Sequence, residues 1–415
     1  MEFNINFNYT IHIDNFSIDH LVAVFRQLVI KIFNDFVRSV LESFAKSCMD
    51  MEEKPFSCVC GNATAFIWKT ANAKLTKIST IFGELELPQM QVACSICDKK
   101  MFITRALLGI EKHQRMSSIT ERMLAMLGVI SSFRVSEKIL RLFGLGQNRM
   151  KVWRCVQRVG AGIELGLDAK QLPVGEADGT GIPTQGVRKR GRELKVFVQR
   201  KVGGSVRIAA LDIGKYNGNW DRLFAPLLDS IRTFKRFLII TDGDTNILKP
   251  LKNVNIFVQR CLWHIPHQLK HCLWEDGVQR KSEAWKQIMG RIFDISATRP
   301  QMADDEIREV IKQKTERLDD LICFCKKHGY QACASYLSNA KPDMFTSLQK
   351  RLNGKSTSLA ERVMRTVNLR INVGKWSRAG ALNAMKLRLA HYYNGWTPGA
   401  PQVDEQRVQR IEKHE

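Results

Sequence analysis

Nowhere do the 415 residues hold the ~20 consecutive apolar positions that a membrane-crossing helix needs. The best stretch, Leu21 to Ala45, is broken by Arg26, Lys31, Asp35, Arg38 and Glu42. Met1 to Asn15 lacks the basic segment and apolar run of a secretory signal, so a cytoplasmic chain is expected. Glycine and proline are sparse, at 27 and 11, which excludes collagen-like and low-complexity classes. Acidic residues are short as well: 41 Asp+Glu face 64 Lys+Arg, a net charge of +23. Such an excess favours a polyanionic partner, and without a span or anchor that partner is nucleic acid rather than a membrane. The eleven cysteines, an odd number scattered along the chain, suit reduced thiols and metal ligands better than a disulfide framework.

What is present is a chain with 44% hydrophobic residues, long enough for two or three domains. In residues 1–54, Leu21, Phe25, Leu28, Ile32, Phe36, Val40 and Phe44 recur every three or four positions, which predicts an amphipathic helix. This arm carries eight acidic and five basic side chains, so it is a poor DNA ligand. It either packs on its own domain or dimerises. Residues 55–115 hold Cys58-Val-Cys60 and Cys94-Ser-Ile-Cys97, separated by a strand-like stretch through Ile81 to Leu87. Two close cysteine pairs on hairpins are what a four-cysteine zinc ribbon requires. The first pair has one intervening residue where two are usual, and reduced core cysteines are the other reading.

In residues 116–166 the pattern is helical over Ser117 to Val129, Ser136 to Phe143 and Gln147 to Val159, with Gly144-Leu-Gly146 as a break. This order predicts a helix-turn-helix whose second helix offers Gln147, Asn148, Arg149, Lys151, Arg154, Gln157 and Arg158 to DNA. Met150, Trp153, Val156 and Val159 would hold it on its scaffold. An ordinary helical hairpin with a solvated basic face is the alternative.

From Val174 the periodicity switches to strands: Val174 to Ile182, Leu194 to Val202 and Val206 to Ile213. A helix around Trp220 to Ile231, a strand Phe237 to Ile240, a short helix, a strand Asn255 to Val258 and a helix from His264 to Trp274 follow. Three antiparallel strands and then αβαβα is the order of an RNase H-like core. That core would begin with residues 174–275, be interrupted by a helical insertion over 276–345 and be completed by 346–400 with a helix from Thr357 to Arg370. Residues 401–415 form a polar tail. The predicted fold class is therefore α/β, an RNase H-like core with a helical insertion, preceded by a candidate zinc ribbon and an all-α region.

Asp178 falls inside the first of these strands, Asp242 at the end of the fourth and Glu361 on the last helix. First and fourth strands are neighbours in such a sheet, so three carboxylates would converge. Oxygen donors suit Mg²⁺ or Mn²⁺, and a two-metal site suits phosphodiester chemistry. Asp244 is better placed to cap the short helix that starts at Thr245.

The segments Glu176-Ala-Asp178-Gly-Thr, Ile240-Thr-Asp242-Gly, Cys261-Leu-Trp-His264 and Ser358-Leu-Ala-Glu361-Arg occur in this order, with Asn368-Leu-Arg370 and Trp376-Ser377 behind them. Over residues 174 to 395 the chain thereby resembles the Mutator-like superfamily of DDE transposases of bacterial or archaeal insertion sequences. The resemblance implies Asp178, Asp242 and Glu361 as catalytic metal ligands and Cys261 with His264 as supporting residues. It implies a nucleoid-associated enzyme that binds the inverted repeats of its element, cleaves with a metal-activated water and transfers the freed 3′-OH to target DNA. Double-stranded DNA, at the element ends and in the target, and a homo-oligomer, dimer or higher, are the partners it implies. A zinc cluster of Cys261, His264, His267 and His271 is a further reading of the residues. Arg188, Lys189, Arg190 and Arg192 lie in a turn whose span 186–201 has seven basic residues and one acidic, which predicts phosphate contacts.

Overall fold

The computed structural model describes residues 5–14, 16–111, 113–143, 145–186, 192–216, 218–298, 304–352 and 359–399, without the side chains of 70–74 and 304. The chain divides into two compact units, one of residues up to 127 with 133–155, the other of residues 128–132 with 156 onward. Among the described residues no helix is long and apolar enough to cross a membrane.

In the first unit a long helix, α1 (Ile18–Asp50), is opened by Ser17, whose side chain accepts from the His20 N–H. Two strands, β1 (Phe66–Thr80) and β2 (Gly83–Cys94), pair antiparallel, and a short β3 (Lys100–Phe102) joins β2. The hairpin reverses at Ile81 and Phe82, where a continuous strand was expected, and Gly83 leaves the turn at φ +127°. Leu85 and Leu87 are buried while Glu84 and Glu86 face outward, the period-two alternation of a half-buried strand. Against that apolar face pack Leu41 and Ala45 of α1, with Phe33 and Val37 alongside. The packed stripe is thus 33/37/41/45, whereas Phe25 and Phe36 of the expected stripe are exposed. Four helices follow in the chain, α2 (Thr104–Leu107), α3 (Ser118–Ile130), α4 (Phe133–Leu142) and α5 (Arg149–Ala161), of which α3 and α5 each run across the boundary between the two units. The second of the expected helix-turn-helix segments starts at Phe133 rather than Ser136, because Ser136 is buried and its hydroxyl bonds to the Leu127 carbonyl. Gly144 lies outside the described residues.

The second unit is built on a five-stranded sheet of β4 (Val174–Ile182), β5 (Arg192–Arg200), β6 (Val206–Gly214), β7 (Phe237–Thr241) and β8 (Ile256–Arg260), in the order β6-β5-β4-β7-β8. The first three form an antiparallel meander, and β7 and β8 run parallel to β4. All five β7 residues are buried, which fits a strand covered on both faces. Alternate residues divide between two cores: Phe237, Ile239 and Ala177 join Trp220 and Phe224, while Leu238, Ile240 and Val174 join Cys261.

The single helix expected around Trp220 is two, α6 (Trp220–Phe224) and α7 (Leu228–Arg232), separated by a 3-10 turn that contains Pro226. After β7 comes α8 (Thr245–Leu248), and after β8 comes α9 (His264–Glu275). The region 276–345, expected to be helical, contains α10 (Glu283–Ser296), α11 (Asp304–Lys327) and α12 (Gln331–Ala340), and a short α13 (Thr346–Gln349) follows directly after it. It shares a core with α9, in which Ile265 and Leu269 meet Ile288, Ile292, Leu318 and Leu337. Buried Gln259 of β8 ties its end back to the sheet: its amide donates to the Met344 carbonyl at 2.6 Å and its carbonyl accepts from Ser347 N–H at 2.9 Å. Last come α14 (Leu359–Ile371) against β4 and β5, and α15 (Arg378–Tyr393) against β6 and α14. The expected start of α14 at Thr357 lies outside the described residues, as does the tail 401–415.

Candidate metal centres and basic surface

In the first unit the two cysteine pairs converge. Cys58 Sγ lies 3.5 Å from Cys97 Sγ, and Cys60 Sγ lies 3.6 Å from Cys94 Sγ. Disulfide sulfurs would be ~2.05 Å apart, whereas four sulfurs ~2.3 Å from one zinc ion stand ~3.8 Å from each other. The short first gap is accommodated by a tight turn. Gly61, at φ +88°, donates its N–H to the Cys58 carbonyl, and Cys58 N–H reaches the Asn62 carbonyl. The Asn62 amide donates to Cys94 Sγ at 3.2 Å, and this bond is the main reason that the Cys94 thiol is drawn down to about 6. Four sulfurs gathered within 4.8 Å of one another can hold a metal such as zinc.

In the second unit β4 and β7 pair in register up to Glu176 opposite Ile240, and Asp242, the residue after β7, lies near enough for its charge to act on the Asp178 carboxyl. The structure gathers three ligand-bearing side chains here: one ligand atom each from Asp178, His264 and Glu361, all within 4.8 Å of one another. Their elements explain the convergence. Asp178 projects from the central strand, Glu361 from the first turn of α14, and His264 is the first residue of α9. Asp242 stands outside this set; its Oδ1 accepts from the Asp244 N–H at 2.9 Å within its own turn. Asp244 caps α8 as expected, accepting from Asn246 N–H at 2.9 Å.

Electrostatics mark the cluster as a place that lacks positive charge. Burial, and then the charges of Glu176, Asp242 and Glu361, push the Asp178 carboxyl up to about 8, despite the hydrogen bond it accepts from Gly179 N–H. Burial pulls His264 down, against the opposing pull of Asp242 and Glu361, so the neutral, ligating form of the imidazole is favoured. Its Nδ1 is buried with no hydrogen-bond partner among the described residues. Two convergent carboxylates, of which Asp178 has a raised proton affinity, beside an imidazole with a nitrogen that lacks a partner fit a divalent cation.

Two supports of this site were not identified from the sequence as functional. Glu176, 1% exposed, accepts from the Leu359 N–H at 2.7 Å and from the Cys261 thiol at 3.7 Å, so it holds the N-terminus of the helix that carries Glu361. Burial raises its carboxyl to about 7 even so. Arg260 donates to the Asp242 carbonyl at 3.1 Å and to the Asn339 carbonyl at 3.3 Å. Its guanidinium occupies the space where a side chain at Gly243 would begin, and Gly243 adopts φ +104°. Cys261 is fully buried behind the cluster, and His267 turns its Nδ1 to the Trp263 carbonyl at 2.7 Å. Cys261, His267 and His271 are not brought together with His264 as a metal-ligating set.

Arg149, Lys151, Arg154 and Arg158 of α5 are all exposed. Gln147 is buried, so it cannot serve as a base-reading donor, and Asn148 caps the helix by accepting from Lys151 N–H. Met150, expected to anchor α5, is 49% exposed, and Val152 with Val156 takes that role. Arg188, Lys189 and Arg190 lie outside the described residues; Arg192 begins β5 and is half-buried. Lys195, counted with them as surface charge, is fully buried, paired with Glu193 and 4.1 Å from the Trp220 ring centroid.

No protein-family model matches the chain, and no curated protein matches it either.

Proposed function

We propose that the chain is a DNA transposase of the Mutator-like DDE type, which binds the terminal inverted repeats of an insertion sequence and catalyses metal-dependent cleavage and strand transfer. The observation that carries the reading is the meeting of Asp178 and Glu361, 183 positions apart, with Asp242 one strand away. The sheet order, with β4 between an antiparallel and a parallel neighbour, is the order an RNase H-like core needs, and it supports that assignment.

Within this reading Asp178, Asp242 and Glu361 hold the catalytic cations, Mg²⁺ or Mn²⁺, with His264 beside them. Such cations supply nucleophile activation and neutralise charge that develops on the phosphodiester. The protein's own part is to fix the donors. Glu176 sets the start of α14, and Arg260 sets the Asp242 turn. Exposed cations of α5 suit phosphates and base edges of the repeat, and Arg188, Lys189, Arg190 and Arg192 suit phosphates near the reacting strand. A homo-oligomer on DNA belongs to the same proposal, supported by Ile18, Val22 and Phe25, which are 72%, 59% and 65% exposed on α1.

The test is incubation of the protein with the DNA that flanks its own gene, with and without Mg²⁺. Nicks with 3′-OH ends and joined products are expected. Nicks that never join would leave a metal-dependent nuclease, and binding without any nick would leave a DNA-binding regulator.

A further inference from the structure

We propose that His264 is itself a metal donor, so that this centre is a mixed carboxylate–imidazole site that selects Mn²⁺-class cations over Mg²⁺. The inference rests on reading the Asp178 cluster as a metal centre and goes beyond it in naming the third donor and the ion.

Three observations lead there. The imidazole is one of the three groups whose ligand atoms lie within 4.8 Å of one another, and the Asp242 carboxylate is not. The Asp242 Oδ1 accepts from the Asp244 N–H in its own turn, so that oxygen is shared with the turn and His264, not Asp242, completes the close group with Asp178 and Glu361. The His264 ring is held in place. Its N–H backbone donates to the Cys261 carbonyl at 3.1 Å, the ring packs edge-on against Trp263 with centroids 4.8 Å apart, and its Nδ1 is buried without a partner. A fixed ring with an unfilled buried nitrogen is costly in a protein interior and suits a ligand.

The donor set separates first-row transition ions from Mg²⁺. Mg²⁺ demands near-octahedral oxygen coordination and keeps its waters, whereas an imidazole donor raises affinity for first-row transition ions. Of these Mn²⁺ also accepts the oxygen-rich remainder supplied by Asp178 and Glu361.

The experiment uses the full chain with its cysteine site loaded with zinc, titrated with Mn²⁺ and followed by electron paramagnetic resonance. Pulsed measurement of the bound Mn²⁺ should show modulation from a directly coordinated ¹⁴N. In His264→Gln that modulation should vanish and Mn²⁺ affinity should fall about tenfold or more, as expected when a metal-site partner is lost. Mg²⁺ affinity, read by competition, should fall much less. His267→Gln, whose ring is occupied with the Trp263 carbonyl, should keep the nitrogen signal. A wild-type spectrum without coordinated nitrogen, or a His264→Gln protein with unchanged preference for Mn²⁺ over Mg²⁺, overturns the proposal while leaving a carboxylate site standing. Asp178→Asn or Glu361→Gln that bind Mn²⁺ as the wild type does would instead overturn the metal centre as a whole. The wild-type spectrum decides the matter even where a variant fails to fold.

Discussion

Replacing Glu176 with Gln should make the metal-free protein more stable at pH 8 and change it little at pH 5. Glu176 is buried in the middle of β4, and its carboxyl is raised from an ordinary 4.5 to about 7. Between those two values the folded protein keeps a proton that the unfolded chain has shed, so stability falls as pH rises through this window. Each pH unit is worth about 1.4 kcal/mol, which puts the cost of the ionised carboxylate at about 3 kcal/mol above pH 7. The hydrogen bond from Leu359 N–H is already included in that value; without it the carboxyl would be raised further. Gln keeps the shape and an acceptor for Leu359 but never ionises, so the gap between variant and wild type should open by about 2–3 kcal/mol from pH 5 to pH 8. Removing the charge also relieves Asp178, whose own rise depends in part on Glu176, and this acts in the same direction. Calorimetry at a series of pH values is the assay, because a chain of two units can show two transitions and the one that contains the five-stranded sheet must be followed. A gap that does not change with pH, or a variant that falls behind the wild type at pH 8, would refute the argument.

Asp178→Ala, Asp242→Ala and Glu361→Ala should each abolish cleavage and joining and leave repeat binding nearly intact in a gel-shift assay; full activity in any one removes that residue from the ligand set. Because Asp178 is pushed up to about 8 and must lose its proton to ligate, divalent-ion affinity should climb about tenfold per pH unit up to that value. Competition titrations at three pH values would expose a flat profile, which contradicts this. Purified protein should carry about one zinc per chain, lost together with local structure in Cys94→Ser/Cys97→Ser; elemental analysis that finds no zinc leaves four reduced thiols. Replacing Arg154 or Arg158 should cost about 1–3 kcal/mol on the repeat and much less on random DNA if the side chain reads a base edge, whereas loss of Arg192 should weaken both alike. Equal losses on both DNAs for the α5 variants would turn that helix into an ordinary solvated hairpin.

The strands of the second unit were legible in the sequence because turn residues separate them and β7 is an apolar run, and β4, polar as it is, has the bounds expected of it, Val174 to Ile182. Asp178, Glu361 and His264 could be found because motif order placed them on elements that a known sheet order brings together. Glu176 could not. Its partner Leu359 is 183 residues away, and nothing local distinguishes a buried strand glutamate from an exposed one. Lys195 misled in the same way: it adds to a basic span in the sequence, yet the fold turns it inward onto Trp220 and Glu193. The α1 stripe was misread because an amphipathic pattern of aromatic and aliphatic residues leaves more than one face apolar, and only the partner sheet selects 33/37/41/45. In α5, exposure of the four basic side chains agrees with the pattern, but burial of Gln147 depends on the packing of the preceding turn.

The donors of the second-unit cluster sit at positions 178, 264 and 361, and the helix that carries the last is held by a carboxylate from the first strand. A chain growing on the ribosome folds from its N-terminal side, so sheet and insertion can form while the cluster is still one ligand short. Truncated products that end before α14 would therefore retain the exposed cations of α5 without a complete set of ligands in the cluster. On the proposed transposase function, premature termination of synthesis would yield competitors for DNA rather than partial nucleases, and the order of residues along the chain would act as a safeguard for the host genome.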